Sequence, residues 1–321
     1  SKLIWNPIEA SIAKGSTVYY IPSGVMHGIA LEALPLSDGT TFGQHYDFVR
    51  LTSAREIVNA HHSSKINRTA TLYGGLQYSL DPQKMEEESK AYGKSDLAGL
   101  VRSEYGVSGF KDLRNTKDEV KKIEKTLVDN GFSVKAYLGS KGNAESFVAL
   151  DGKSPSIVHI ATHGFYYTPD EAKDKDFLRG YTDAMSLSGL VFAGGNAAWL
   201  GKKNVDGVLG GVLTAKDIAN LDFKGTDLLV LSACKTGQGK VTAEGVFGLQ
   251  RAFKKAGVGT IIMSLWNVDD KVTSEFMIAF YEQLTDKANN WNKRKAFEQT
   301  KEIIRKKHPD PYYWAAFVML D

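Results

Sequence analysis

Leu228-Leu229-Val230-Leu231 is an unbroken apolar run, followed by Ser232-Ala233-Cys234-Lys235-Thr236-Gly237. A strand without polar alternation must be covered on both faces, as in the middle of a mainly parallel sheet. A second apolar run starts at Ser156-Ile157-Val158 and continues into His159-Ile160-Ala161-Thr162-His163-Gly164. Each run delivers a reactive side chain, His163 or Cys234, shortly before a glycine. Strands predicted at Phe132 to Leu138, Val258 to Ser264 and Tyr313 to Leu320 alternate with helical patterns from Thr116, near 244–256, 271–285 and 291–307. This alternation predicts an α/β fold. Sites in such folds gather beyond the carboxyl ends of the strands, and His163 and Cys234 both stand there.

Other segments carry weaker signals. Thr116 and Glu119 have the spacing of a capping box, with Val120, Ile123 and Leu127 at helical intervals behind them. Thr17 to Ile21 and Gly28 to Leu34, separated by Pro22-Ser23-Gly24, predict a hairpin. Thr69 to Tyr73 predicts a strand closed by Gly74-Gly75, and residues 81–105 are polar enough for a surface insertion. Residues 165–226 form a long, glycine-rich connection with regular patterns only near Ser188 to Phe192 and Thr214 to Ala219. A connection of that length beside a reactive histidine reads as a functional loop.

Composition excludes several classes. A net charge of +3 over 321 residues is too small to imply nucleic acid. The lone cysteine rules out an internal disulfide and makes the reducing cytosol the expected compartment. No apolar run approaches the ~20 residues of a membrane span, and no secretory signal is visible. Gly237-Gln238-Gly239 is a poor match to a nucleotide-binding loop, and no G-x-x-x-x-G-K-[ST] occurs.

Cys234 has two readings. A free cysteine is commonly a buried structural thiol. At the exit of a strand it is accessible and becomes a nucleophile if a base lowers its pKa. His163 is the candidate base. His159, inside its strand, fits a buried structural role. No further Cys or acidic cluster completes a metal site, so neither metal nor cofactor is expected. The backbone N–H groups of Gly164 and Cys234 are the natural donors for an oxyanion, since glycine admits close approach of substrate.

These residues resemble a known family. His159 to Gly164, Leu231 to Gly237, Glu244-Gly245-Val246, Ser264-Leu265-Trp266-Asn267-Val268-Asp269-Asp270, Ser188-Gly189-Leu190, Leu213-Thr214-Ala215 and Tyr313-Trp314-Ala315-Ala316-Phe317 match, in order, the CHAT-domain proteins. These are caspase-like peptidases of the clan that includes caspases, separase, legumain and gingipains. The similarity is continuous from about residue 106 and fainter before it. Ala243 stands where the family often has glycine, and Gly210-Gly211 where it often has Asp. The resemblance implies a caspase-like three-layer sandwich. Residues 1–105 would form an N-terminal, pseudo-caspase-like part of the CHAT domain, and 106–321 the catalytic part.

It also implies a cysteine endopeptidase acting on protein or peptide substrates, with His163 as base and Cys234 as nucleophile. The alternatives are a catalytically silent scaffold of the same fold and a nucleotide-binding α/β protein. Relatives often carry helical repeats. None of ~34 residues occurs here, and the chain begins Ser1-Lys2-Leu3 without Met, so a repeat or sensor domain outside this chain is the expected partner. The Trp266 to Asp270 run leaves the strand beside the cysteine strand and looks like the separase segment whose acid receives arginine. Trp266 would wall the pocket for the residue before the scissile bond. Asp270, or failing that Asp269, would receive a cationic side chain. Either acid could equally N-cap the next helix.

Overall fold

The computed structural model describes residues 5, 11–36, 38–58, 67–93, 108–167, 170, 183, 185–202, 205–232 and 243–321. The strands are β1 Thr17–Tyr20, β2 Asp47–Arg50, β3 Thr69–Leu76, β4 Ser133–Gly139, β5 Ile157–Ile160, β6 His163–Tyr166, β7 Ser188–Val191, β8 Val212–Thr214, β9 Leu228–Leu231, β10 Thr260–Ser264 and β11 Phe317–Leu320. The helices are α1 Arg55–Val58, α2 Pro82–Ser89, α3 Thr116–Asp129, α4 Ala144–Val148, α5 Gly195–Trp199, α6 Ala215–Ile218, α7 Ala243–Lys255, α8 Asp270–Thr285, α9 Lys293–Lys307 and α10 Pro311–Trp314.

Eight strands form one sheet in the order β1-β2-β11-β10-β9-β5-β3-β4. Every junction is parallel except β10–β11. The unbroken Leu228 to Leu231 run sits centrally, with each of its four side chains 2% exposed or less. Burying each contributes about 1.5–3 kcal/mol of transfer free energy, which is why this segment takes an inner position.

The sheet is covered on both faces. Leu72 and His159 are register partners, as are Tyr73 and Ile160. His159 reaches Glu119 of α3 and Tyr281 of α8 on one side. Tyr73 packs against Phe147 of α4 and Phe192 on the other, with ring centroids 6.1 and 5.8 Å away. Neighbouring residues of a strand thus feed opposite layers. The result is an α/β three-layer sandwich with a mainly parallel central sheet.

Several local expectations change. Thr17–Tyr20 does not form a hairpin: β1 pairs in parallel with β2, and Gly24–Gly28 and Leu31–Ala33 are short 3-10 helices. Trp5, Leu31, Phe42, Tyr46 and Phe48 form a small separate core there, and that packing overrides the short-range turn signal. β3 runs through Gly74-Gly75 to Leu76, with a register shift against β4. A Cβ at Gly74 would lie 2.6 Å from the Thr116 carbonyl oxygen, so glycine here lets the start of α3 sit directly on the strand. Thr116 and Glu119 form no capping box. Asn115 holds the N-cap position, Thr116 Oγ1 donates to the Leu113 carbonyl, and Glu119 turns inward to His159.

The Tyr313 to Leu320 stretch divides into the end of α10 and β11. Within 165–226, β6, β7 and β8 form a second, antiparallel sheet. A Thr214–Asp217 capping box starts α6 there. Much of that connection is therefore built structure rather than loop.

Candidate active site

Sheet register fixes the geometry at the carboxyl ends of β5 and β9. The two strands are parallel neighbours, and Ile160 pairs with Leu231. The Ser232 N–H continues the ladder to the Ile160 carbonyl at 3.0 Å. His163 lies three residues beyond Ile160, and Cys234 lies three residues beyond Leu231. Cys234 and the Lys235-Thr236-Gly237 turn fall outside the described residues.

His163 does not extend β5. The chain breaks at Ala161-Thr162, and His163 opens β6 in the second sheet opposite Val191. Thr162 anchors the break: its hydroxyl donates to the Val191 carbonyl and bonds the Tyr78 hydroxyl at 2.9 Å. Burial pushes the Tyr78 phenol far above its ordinary pKa, so it stays protonated. The imidazole of His163 lies between Tyr78 and Phe110, with centroids 4.8 and 4.9 Å away. Its Nε2 is 2.7 Å from the backbone carbonyl oxygen of Lys111. A carbonyl only accepts, so Nε2 carries the proton and a neutral ring has its basic lone pair on Nδ1.

The Lys111 carbonyl is itself held in place. Asn196 accepts from the Phe110 N–H through Oδ1 at 2.6 Å, and its Nδ2 donates to the Phe110 carbonyl at 2.9 Å. The same Nδ2 also bonds the Ser79 hydroxyl at 2.9 Å. Residues 108–115 are thereby clamped over the histidine without regular structure of their own.

His163, Asp269 and Asp270 line one cleft of ≈ 530 Å³, together with residues 108–115. Asp269 is the N-cap of α8, accepting from the Lys271 and Val272 N–H groups at 2.9 and 3.3 Å. Asp270, one residue later, is bonded by the Asn115 side-chain amide at 2.9 Å. Trp266 is not among the cleft-lining residues; its indole N–H donates to the Tyr312 carbonyl at 2.9 Å. Gly164 follows His163 in β6, opposite Leu190. His159 is fully buried, with Nε2 2.9 Å from Glu119 Oε1. Tyr78, Phe110, Asn115, Asn196 and the Lys111 carbonyl carried no motif that singled them out. Only the closure of the 108–115 segment onto β6 and α8 brings them to the site. Among the described residues no group of three His, Cys, Asp or Glu could hold a metal ion, and no helix is long and apolar enough to cross a membrane.

A model of the CHAT domain matches residues 1–321. Tetratricopeptide repeat protein 28 of Homo sapiens is 32% identical over 111 residues, 34% of this chain and 4% of that protein. Its Mus musculus counterpart is 31% identical over 111 residues, with the same coverage. The chain thus spans only a small part of the relatives it matches. Among solved structures, the Arg-specific cysteine proteinase gingipain R aligns with a TM-score of 0.52 at 10% identity, covering 95% of this chain and 62% of that one. At that identity the likeness concerns the fold, which is caspase-like.

Proposed function

The chain belongs to the CHAT-domain family, and from that premise we propose that it is a cysteine endopeptidase with His163 as base and Cys234 as nucleophile. The observation that carries this reading is the equal three-residue offset of His163 and Cys234 from the paired residues Ile160 and Leu231. The Lys111 carbonyl supports it by leaving the basic lone pair of His163 on Nδ1. In the proposed reaction the Cys234 thiolate attacks the peptide carbonyl carbon. The N–H groups of Gly164 and Cys234 receive the oxyanion. Protonated His163 gives its Nδ1 proton to the leaving amine as the C–N bond breaks. Water, deprotonated by His163, then cleaves the thioester and frees the thiol.

The substrate side chain before the scissile bond is proposed to be basic. Asp269 and Asp270 line the cleft that holds His163. A carboxylate left unpaired by a neutral side chain would be costly. Asp269 already caps α8, so Asp270 is the principal acceptor. The repeats named in the human and mouse relatives support a tetratricopeptide-type domain as regulatory partner. A thiol nucleophile suits a reducing compartment, so the cytosol is the proposed location.

The decisive experiment is a positional peptide library with mass-spectrometric readout, alongside labelling of Cys234 by a peptidyl thiol-reactive probe. Cleavage after Arg or Lys that disappears in Cys234→Ala is expected. Cleavage persisting in Cys234→Ala overturns the mechanism. A chain that folds, binds partners and neither cleaves nor labels is the silent scaffold instead.

A further inference from the structure

Asn115 occupies the N-cap position of α3, where an Asn side chain normally accepts a hydrogen bond from its own helix. Here it makes no such bond. Its Nδ2 donates instead to Asp270 Oδ2 at 2.9 Å, with its backbone N–H 3.4 Å from the same oxygen. The two residues come from the starts of two helices, 155 positions apart in the chain, and line one cleft with His163. Among the described residues neither Asp270 Oδ1 nor Asn115 Oδ1 accepts a hydrogen bond, so the tethered pair keeps two acceptor oxygens on residues that line the cleft.

We infer that Asn115 is a specificity-determining residue that makes this cleft prefer a guanidinium to an ammonium group. The inference rests on Asp270 being the acceptor for a basic substrate side chain.

Asp270 Oδ2 is held by Asn115, which restrains the carboxylate. Asp270 Oδ1 and Asn115 Oδ1 remain as acceptors on two tethered side chains. A guanidinium presents five N–H donors in a rigid plane and can bond both oxygens at once. An ammonium is a compact point charge that is satisfied by Asp270 alone. Lys111 and Arg114 line the same cleft. The lining therefore holds three acids, counting Asp112, against two bases. One added charge-assisted hydrogen bond corresponds to a preference of about tenfold.

The test separates binding from turnover. Butylguanidine and n-pentylamine are titrated into the whole chain by NMR, for wild type, Asn115→Ala, Asn115→Leu and Asp270→Ala. Peptides with Arg or Lys before the scissile bond are compared in parallel. The expected result is about tenfold tighter binding of butylguanidine by wild type. That preference should fall to within about twofold in both Asn115 variants, while Asn115→Ala keeps its affinity for pentylamine. Asp270→Ala should lose both ligands. Asn115→Ala removes no capping bond, and Asn115→Leu keeps the approximate shape of the side chain without its donor or its acceptor, so one of the two reports even if the other folds poorly. An unchanged guanidinium preference in folded Asn115 variants overturns the role of Asn115 and leaves the acidic pocket standing. Unchanged binding of both ligands by Asp270→Ala overturns the pocket and this inference together. Ligand binding with this pattern but no peptide cleavage upholds the inference and counts against the peptidase reading alone.

Discussion

Ile160 and Leu231 are partners in the parallel register of β5 and β9, and the two residues proposed for chemistry each stand three positions further along. A parallel ladder sends both chains out of the same edge of the sheet. Ser232, the first residue beyond β9, still bonds the Ile160 carbonyl, so the two exits start side by side.

Replacing either member of the dyad should lower kcat/KM by at least about 10³-fold. The two variants should differ in stability. His163 is packed between Tyr78 and Phe110 and is 4% exposed, so His163→Ala leaves a cavity and should cost about 1–3 kcal/mol. Cys234→Ala removes only one sulfur atom. Thermal melts of both proteins beside their kinetics check this; turnover surviving in either variant rejects the assignment.

Asn196 is linked to His163, the proposed base, through the Phe110 backbone and the Lys111 carbonyl. Asn196→Ala should release residues 108–115, let the Lys111 carbonyl drift from His163, and lower kcat by about 10–100-fold, the range seen for groups that orient a reacting residue. KM should change less. Wild-type kcat in folded Asn196→Ala protein would show that the clamp is structural only.

Glu119 and His159 pair where almost no water reaches, with side chains 1% and 0% exposed. Removing one partner strands the other, so Glu119→Leu should destabilise by about 3–5 kcal/mol. Adding His159→Leu should recover part of that loss. Denaturant unfolding of the single and double variants gives the coupling; purely additive losses would mean that the pair does not act as a unit.

Glu275 governs an acid-sensitive contact between α8 and the end of α9. Burial alone would raise its pKa, but hydrogen bonds from His308 and Lys307 outweigh it and hold the carboxyl below the ordinary range. A depressed carboxyl stabilises the fold above its unfolded pKa and loses that contribution as pH falls through the folded value. Wild type should therefore lose up to about 1 kcal/mol in acid that Glu275→Gln does not. Unfolding curves measured from neutral pH down to the acid limb decide it, and identical pH profiles would reject the contact.

β9 and β10 are joined by residues 232–259, and α7 takes up 13 of them. The longest stretch outside α7 is the eleven residues 232–242, and an activating cut of the kind caspases use would have to fall there. The proposed peptidase is expected to be active as one uncut chain. Intact-mass measurement of active protein tests this; a cut between 235 and 257 that activity requires would refute it.

The sequence alone determined the strands that are buried on both faces. Leu228 to Leu231 and Ile157 to Ile160 are too apolar to lie anywhere but inside the sheet, and their exits point to His163 and Cys234. α8 and α9 followed from helical periodicity in the same way. The tertiary structure decided whatever depends on partners distant in the chain. β1 joins β2 rather than a neighbouring strand because a small aromatic core forms between them. Glu119 turns to His159 instead of capping α3, because a buried carboxylate needs a hydrogen-bond partner and His159 supplies one inside the same layer. The division of labour between Asp269 and Asp270 could not be read from two identical adjacent residues. It follows from where α3 begins, since only then does Asn115 meet Asp270 while Asp269 caps α8. Periodicity records which face of an element is buried; it does not record what waits on the other side.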